Sequence, residues 1–229
     1  CWPQAPDHVL RLYRVGIAKA LQLMADGVHV FEDVGDDAKL GDPAWRQLEA
    51  WRTGGMVVEP GLDAALAPFR CRLGFLDFET VARAIPVWDG LAPWGSAPVQ
   101  FSYHERRPDG SLAHTAWLAE GPEDPRPVLA RALVEATRDA ERVVTYSSFE
   151  RTQIRALQAA LPDLADELAA LDAKLLDLEP VVRNHVAHPD FGGSFSIKAV
   201  LPALIPELAY EGLEIDDGQV ASVELAHLL

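Results

Sequence analysis

Two carboxylates two residues apart stand in Leu73-Gly-Phe-Leu-Asp-Phe-Glu-Thr80. Its apolar, aromatic-rich character predicts a strand over Leu73 to Val81. Strand side chains alternate between faces, so Phe75, Asp77 and Glu79 are expected on one face and Leu76 and Phe78 on the other. Two like charges placed side by side cost energy unless something neutralises them. A divalent cation does so well, because magnesium takes oxygen ligands. The plainer alternative is a strand that exposes a polar face.

Three further acids have structural alternatives of their own. Ser147-Ser148-Phe149-Glu150 has the spacing of a capping box, with Ser147 as cap and Glu150 bonded back to the backbone. Asp177 stands three residues before Pro180, as a helix cap does, among the apolar Leu175, Leu176 and Leu178. Asp216-Asp217-Gly218 reads as a turn and the cap of a last helix.

The elements that must position these acids follow from periodicity. Residues 8–25 read as an amphipathic helix through Val9, Leu12, Tyr13, Ile17, Ala20, Leu21 and Met24. Asp42-Pro43 opens another helix and Gly54-Gly55 ends it. Residues 1–69 are therefore expected to form a small helical N-terminal segment, or a linker from an upstream domain. Near residue 70 the character changes. The strand at Leu73 is followed by strands over Pro98 to Glu105 and Leu112 to Ala119, joined through the turn Arg107-Pro108-Asp109-Gly110. Pro125 to Glu141 is expected to be helical and Arg142 to Tyr146 a short strand. A long helical stretch is expected from Phe149 to about Asn184, broken at Pro162 and Pro180. This order predicts an α/β domain over 70–229, a mixed sheet with flanking helices.

The 229 residues carry 20 basic and 35 acidic side chains, a net charge of −15, which argues against a protein that coats nucleic acid by bulk charge. Residues 160–229 hold only 3 basic against 13 acidic, a net of −10, while 71–159 are nearly balanced at 10 against 12. No run of apolar residues is long enough for a membrane span, and no signal segment opens the chain, so a cytoplasmic location is expected. Two cysteines, Cys1 and Cys71, are too few for a disulfide scaffold. The chain starts at Cys1 rather than Met, as a piece of a longer protein would.

Taken jointly, the acids resemble the DEDD exonuclease superfamily on the ribonuclease H-like fold, and most closely a bacterial family of uncharacterised domains within it. The resemblance covers about residues 70–229. It is carried by Phe75-Leu-Asp-Phe-Glu-Thr80, Ala84-Ile-Pro86, Thr145-Tyr-Ser-Ser-Phe-Glu150, Asp177, the block His188-Pro-Asp-Phe-Gly-Gly-Ser-Phe-Ser-Ile-Lys-Ala-Val-Leu-Pro202, and Tyr210…Leu213-Glu-Ile-Asp-Asp-Gly218…Ala221. The resemblance implies a metal-dependent 3′–5′ exonuclease acting on single-stranded DNA or RNA with two Mg2+ or Mn2+ ions. It implies Asp77 as the bridging ligand, Glu79 on one ion, Glu150 and Asp177 on the second directly or through water, and Asp217, with Asp216 as competitor, as the last ligand. The second motif departs from the superfamily, with Ser147 in place of Asn and Glu150 in place of Asp. Leu213 and Gly212 stand where a His or Tyr is usual before the last acid. Lys198, His188 and Tyr210 are then the candidates for the general base, and Lys198 alternatively for a phosphate contact. Relatives often carry an upstream RecB-type, CRISPR-associated-like nuclease domain ending in a cysteine cluster, of which Cys1-Trp2-Pro3 would be a remnant. The alternative reading is a catalytically inactive nuclease-like module that binds nucleic acid or protein.

Overall fold

A computed structural model describes residues 3–107, 109–208 and 225. The chain divides into two compact units. Among the described residues, one comprises 3–66 and 179–208, the other 67–178 and 225.

In the first unit the expected helix over 8–25 is split. A single 3-10 turn spans Val9–Arg11 and helix α1 spans Ile17–Ala25. Arg14 (φ 51°) and Gly16 (φ 77°) break the pattern between them. The broken phase turns Ile17 and Leu21 outward, while Val9, Leu12 and Leu23 stay in a core with Phe31, Val34 and Leu48. Helix α2 spans Asp42–Thr53, with Pro in its first turn and Gly54 in the left-handed region (φ 67°) closing it, as expected. Strand β1, Val57–Val58, and a short helix α3, Leu62–Ala65, follow.

The second unit holds the sheet. Strands β2 (Leu73–Ala82), β3 (Ser96–Arg106) and β4 (Leu112–Leu118) are antiparallel neighbours. Helix α4 (Arg126–Ala136) leads to β5 (Arg142–Thr145), which returns parallel to β2. Helices α5 (Phe149–Ala160) and α6 (Ala165–Lys174) lead to β6 (Leu175–Asp177), parallel to β5. The strand order is β4-β3-β2-β5-β6, a five-stranded mixed sheet with flanking helices, the α/β architecture expected. The turn between β3 and β4 is closed by the Gly110 amide on the Arg107 carbonyl (2.9 Å) and the Arg107 amide on the Ser111 carbonyl (2.8 Å).

One face of β2 and β3 supplies Leu76, Phe78, Phe101 and Tyr103 to a core completed by Leu129, Leu133, Val143, Ile154, Leu157 and Leu168. Gly74 lies on this buried face, and a Cβ there would run into the ring and hydroxyl of Tyr103. Gly74→Ala is therefore expected to destabilise the protein by roughly 1–3 kcal/mol through overpacking, read as a lower urea midpoint at unchanged m-value. Trp88 joins a second cluster with Val81, Val99 and Ala119 and donates to the Pro122 carbonyl (3.0 Å), whereas Trp94 is exposed.

The chain then re-enters the first unit through α7 (Glu179–His185), β7 (Val186–Ala187) and α8 (Ile197–Leu204). Strand β7 pairs antiparallel with β1. Arg46 donates to the Arg183 carbonyl (2.7 Å), and Tyr13 meets Phe195 edge-on at 4.7 Å. Residues 179–208, read from sequence as part of the second domain, thus pack with the N-terminal segment. The Gly192-Gly193 turn serves that packing, since a Cβ at Gly193 would collide with the Arg11 carbonyl oxygen. Among the described residues no helix is long and apolar enough to cross a membrane.

Candidate functional site

The pleat of β2 does what its alternation predicts. Leu76 and Phe78 are buried while Phe75 and Asp77 open to the other face and Glu79 is half-buried. A bulge between Glu79 and Thr80 then shifts the register against β3, and Val81 beyond it packs in the second cluster with Trp88 and Val99. Asp77 and Glu79 therefore share the face ahead of the bulge.

Three parallel strands align the rest. Phe75 lies opposite Val144, Val144 opposite Leu176, and Thr145 opposite Asp177. Asp77, midway along β2, is consequently level with the segment after Thr145 and with Asp177, at the carboxyl ends of β5 and β6. In α/β sheets the carboxyl ends of the strands are where ligands bind. Asp177 ends a strand here, not a helical stretch as its surroundings suggested. Its Oδ1 accepts from the Ser147 amide at 2.9 Å, and the Leu178 amide donates to the Thr145 carbonyl at 3.0 Å. These bonds pin the turn that launches α5, a turn in which Ser147 adopts φ 103°. Asp177→Ala is expected to cost about 1 kcal/mol by orphaning that amide, and Asp177→Asn much less because the carbonyl oxygen still accepts. Urea denaturation of the two variants reads the difference.

The capping box does not form. Helix α5 begins at Phe149 with Ser148 as cap and no side-chain cap bond, and the Ser147 hydroxyl accepts instead from the Phe149 amide (3.2 Å). Glu150 turns inward as the first member of the buried stripe Glu150, Gln153, Ile154 and Leu157. It is only 4% exposed, and its Oε2 has no hydrogen-bond partner. Burial pushes its carboxyl up to about 7, and the charges of Asp77 and Asp177 push the same way, against a bond from its own amide. Asp77 is also raised, first by desolvation among its neighbours, with the Phe78 amide partly offsetting. Glu150 thus feels the charges of both Asp77 and Asp177.

The other predicted residues fall elsewhere. Lys198 lies in the first turn of α8 and His188 caps a 3-10 turn, its Nδ1 accepting from the Asp190 amide (3.2 Å); both belong to the first unit. Tyr210, Asp216 and Asp217 lie outside the described residues. Sequence reasoning did not find the polar row beside Asp77 on the open face of β3 and β4. Ser102 is directly opposite Asp77 and bonds the His114 ring at 3.0 Å, and His104 stacks on His114 at 4.2 Å. The period-2 register of the hairpin was the signal that could have found it.

The donor set suits a hard divalent cation, being rich in carboxylate oxygens and including an orphaned buried one. Among the described residues no three His, Cys, Asp or Glu side chains form a ready-made metal group.

Fold and site together define an α/β protein with acids gathered level with the carboxyl ends of β5 and β6. The model of the family described as Domain of unknown function (DUF2779) matches residues 74–196, more than half of the chain, and the chain belongs to that family. A search of curated proteins and a search of solved structures each found no match.

Proposed function

We propose that this protein is a divalent-metal-dependent 3′–5′ exonuclease of the DEDD type on a ribonuclease H-like domain, hydrolysing phosphodiester bonds of single-stranded DNA or RNA. The observation that carries the reading is Glu150, a buried carboxyl with an unpartnered oxygen that feels both Asp77 and Asp177. An acid held there without a cation is costly when ionised, and a cation removes that cost. On this reading Asp77, Glu79, Glu150 and Asp177, joined by Asp217, hold two Mg2+ or Mn2+ ions. Such ions supply a hydroxide nucleophile near neutral pH and stabilise charge on the phosphoryl oxygens. Asp177 also fixes the Ser147 turn and through it the start of α5. A cytoplasmic location and an upstream RecB-type nuclease domain belong to the same proposal, by resemblance.

A second reading is a nuclease-like module that binds without cutting. It is favoured by the absence, among the described residues, of a ready-made group of three ligating side chains, and by the Ser147 hydroxyl being used on the Phe149 amide. Oligonucleotides of DNA and RNA labelled separately at the 5′ and 3′ ends, incubated with magnesium and then manganese, separate the two. A metal-dependent ladder from the 5′-labelled strand is the expected result. Intact strands under every condition would replace the nuclease reading by the binding module.

A further inference from the structure

The open face of the sheet continues from Asp77 to a second feature at the other end of β2. There a recess of about 540 Å³ is lined by Phe69, Arg70, Arg72, Phe75, Arg106 and Arg107. Four of the chain's 20 basic residues converge on it, in a protein of net charge −15. Of the acids near it, Glu105 is engaged by Arg72 at 2.7 Å, which leaves Glu141 as the carboxylate in the lining. Arg106 and Arg107 are exposed, and Phe75 is 43% exposed although the strand's other phenylalanine, Phe78, is buried. Arginine forks suit phosphate oxygens, and an exposed aromatic ring gives a base a stacking platform. A concave basic site in an acidic protein concentrates field where the rest of the surface repels.

Register connects this recess to the acids. Phe75 and Asp77 project from the same face of β2, two strand residues or about 7 Å apart, which is within the reach of one nucleotide. Arg106 has the same parity on β3 as His104, the residue opposite Phe75.

We propose that this recess binds single-stranded nucleic acid, Arg106 and Arg107 taking backbone phosphates and Phe75 a base, and so leads the strand along β2 toward Asp77. This deepens the nuclease reading and rests on it for the direction of the strand, while binding itself needs no cleavage.

The test is fluorescence anisotropy of a labelled single-stranded oligonucleotide in chelator, across a salt series. The variants are Arg106→Glu/Arg107→Glu, Phe75→Ala, and the control Arg131→Glu/Arg138→Glu, which makes the same charge change at exposed positions of α4 and its end. The recess pair is expected to bind roughly 50-fold more weakly near 50 mM salt, with a log–log salt slope lower by about 1.4, two phosphate contacts being lost. Phe75→Ala is expected to bind roughly tenfold more weakly with an unchanged slope. The control pair stays within about twofold, as expected if phosphate contacts rather than net charge set the affinity. Circular dichroism melts confirm that all variants fold. Equal affinity for recess and control pairs, or no binding by the wild type, would overturn the recess. Cleavage by the wild type in a parallel magnesium assay, with recess variants binding normally, sinks the recess alone. Recess-dependent binding without cleavage sinks the nuclease reading alone.

Discussion

Asp77→Asn is expected to reduce metal-dependent cleavage by at least ~10³-fold while leaving the melting temperature unchanged or slightly raised. The size follows from what a bridged metal does. It contributes several kcal/mol of transition-state charge stabilisation, and each ~1.4 kcal/mol is a factor of ten in rate. On the proposed reading Asp77 would hold the ions, and an amide would be a poor substitute for its carboxylate. The stability side follows from the surroundings. Desolvation already holds the Asp77 carboxyl above its ordinary range, and its charge adds to the pressure on Glu150. Removing that charge relieves repulsion, and the asparagine carbonyl oxygen still accepts from the Phe78 amide. A merely structural aspartate would behave in the opposite way, losing stability with little change in rate. Single-turnover cleavage and thermal melting on the same preparations distinguish the two.

Glu150 gives the second large effect, on stability against pH. Its folded value of about 7 lies above the ordinary 4.5, so between those values the native state binds more protons than the unfolded state. Stability from this group is therefore full below about pH 4.5 and is lost as pH rises through 7. The loss amounts to about 3 kcal/mol at ~pH 8, at 1.36 kcal/mol for each unit of difference. Asp77, raised as well, works in the same direction. Asp124 does not confuse the window. Burial raises it, but hydrogen bonds and charge from Arg126 outweigh that and hold it below its ordinary range, so its contribution disappears only in acid. Urea denaturation from ~pH 5 to ~pH 9 is expected to show declining stability for the wild type and a nearly flat profile for Glu150→Gln. Excess magnesium is expected to restore the wild type above ~pH 7, because a ligated carboxylate is favoured in its charged form. It is expected to do little for Glu150→Gln. A magnesium-insensitive decline in the wild type would separate the raised carboxyl from metal binding.

Much of this site was readable from residues, for reasons that differ by element. The alternation in Leu73 to Val81 was legible because one face is buried, so a period of two is enforced on every side chain from Gly74 to Phe78. The bulge at Glu79/Thr80 left no such trace, since the extra residue sits on the partner strand. The short strand β5 announced itself as an apolar run, Arg142-Val-Val-Thr145. Strand β6 did not: Leu175-Leu176-Asp177 follows a leucine-rich helix, and only its pairing with β5 overrides the local helical preference. Glu150 illustrates a spacing with two valid readings. Ser147 and Glu150 fit a capping box, yet Glu150, Gln153, Ile154 and Leu157 fit a buried stripe, and burial of the apolar members decides. The return of residues 179–208 to the first unit is carried by a two-residue pairing of β1 with β7 and by single contacts such as Arg46 on the Arg183 carbonyl, none of which leaves a periodicity. The arginine recess was invisible for a further reason. Arg106 and Arg107 lie at the β3–β4 turn, and the rest of the recess comes from residues 69 to 75 and from Glu141, distant in sequence.

The central claim is that Asp77, Glu150 and Asp177 form one cation site level with the carboxyl ends of β5 and β6. Calorimetric titration of manganese into the intact protein at ~pH 8, beside Asp77→Asn, Glu150→Gln and Asp177→Asn, tests it most directly. Saturable binding is expected for the wild type, falling at least ~10-fold in each variant, the order of loss for a ligand or its support. Equal binding by all four proteins, or none by the wild type, would contradict it.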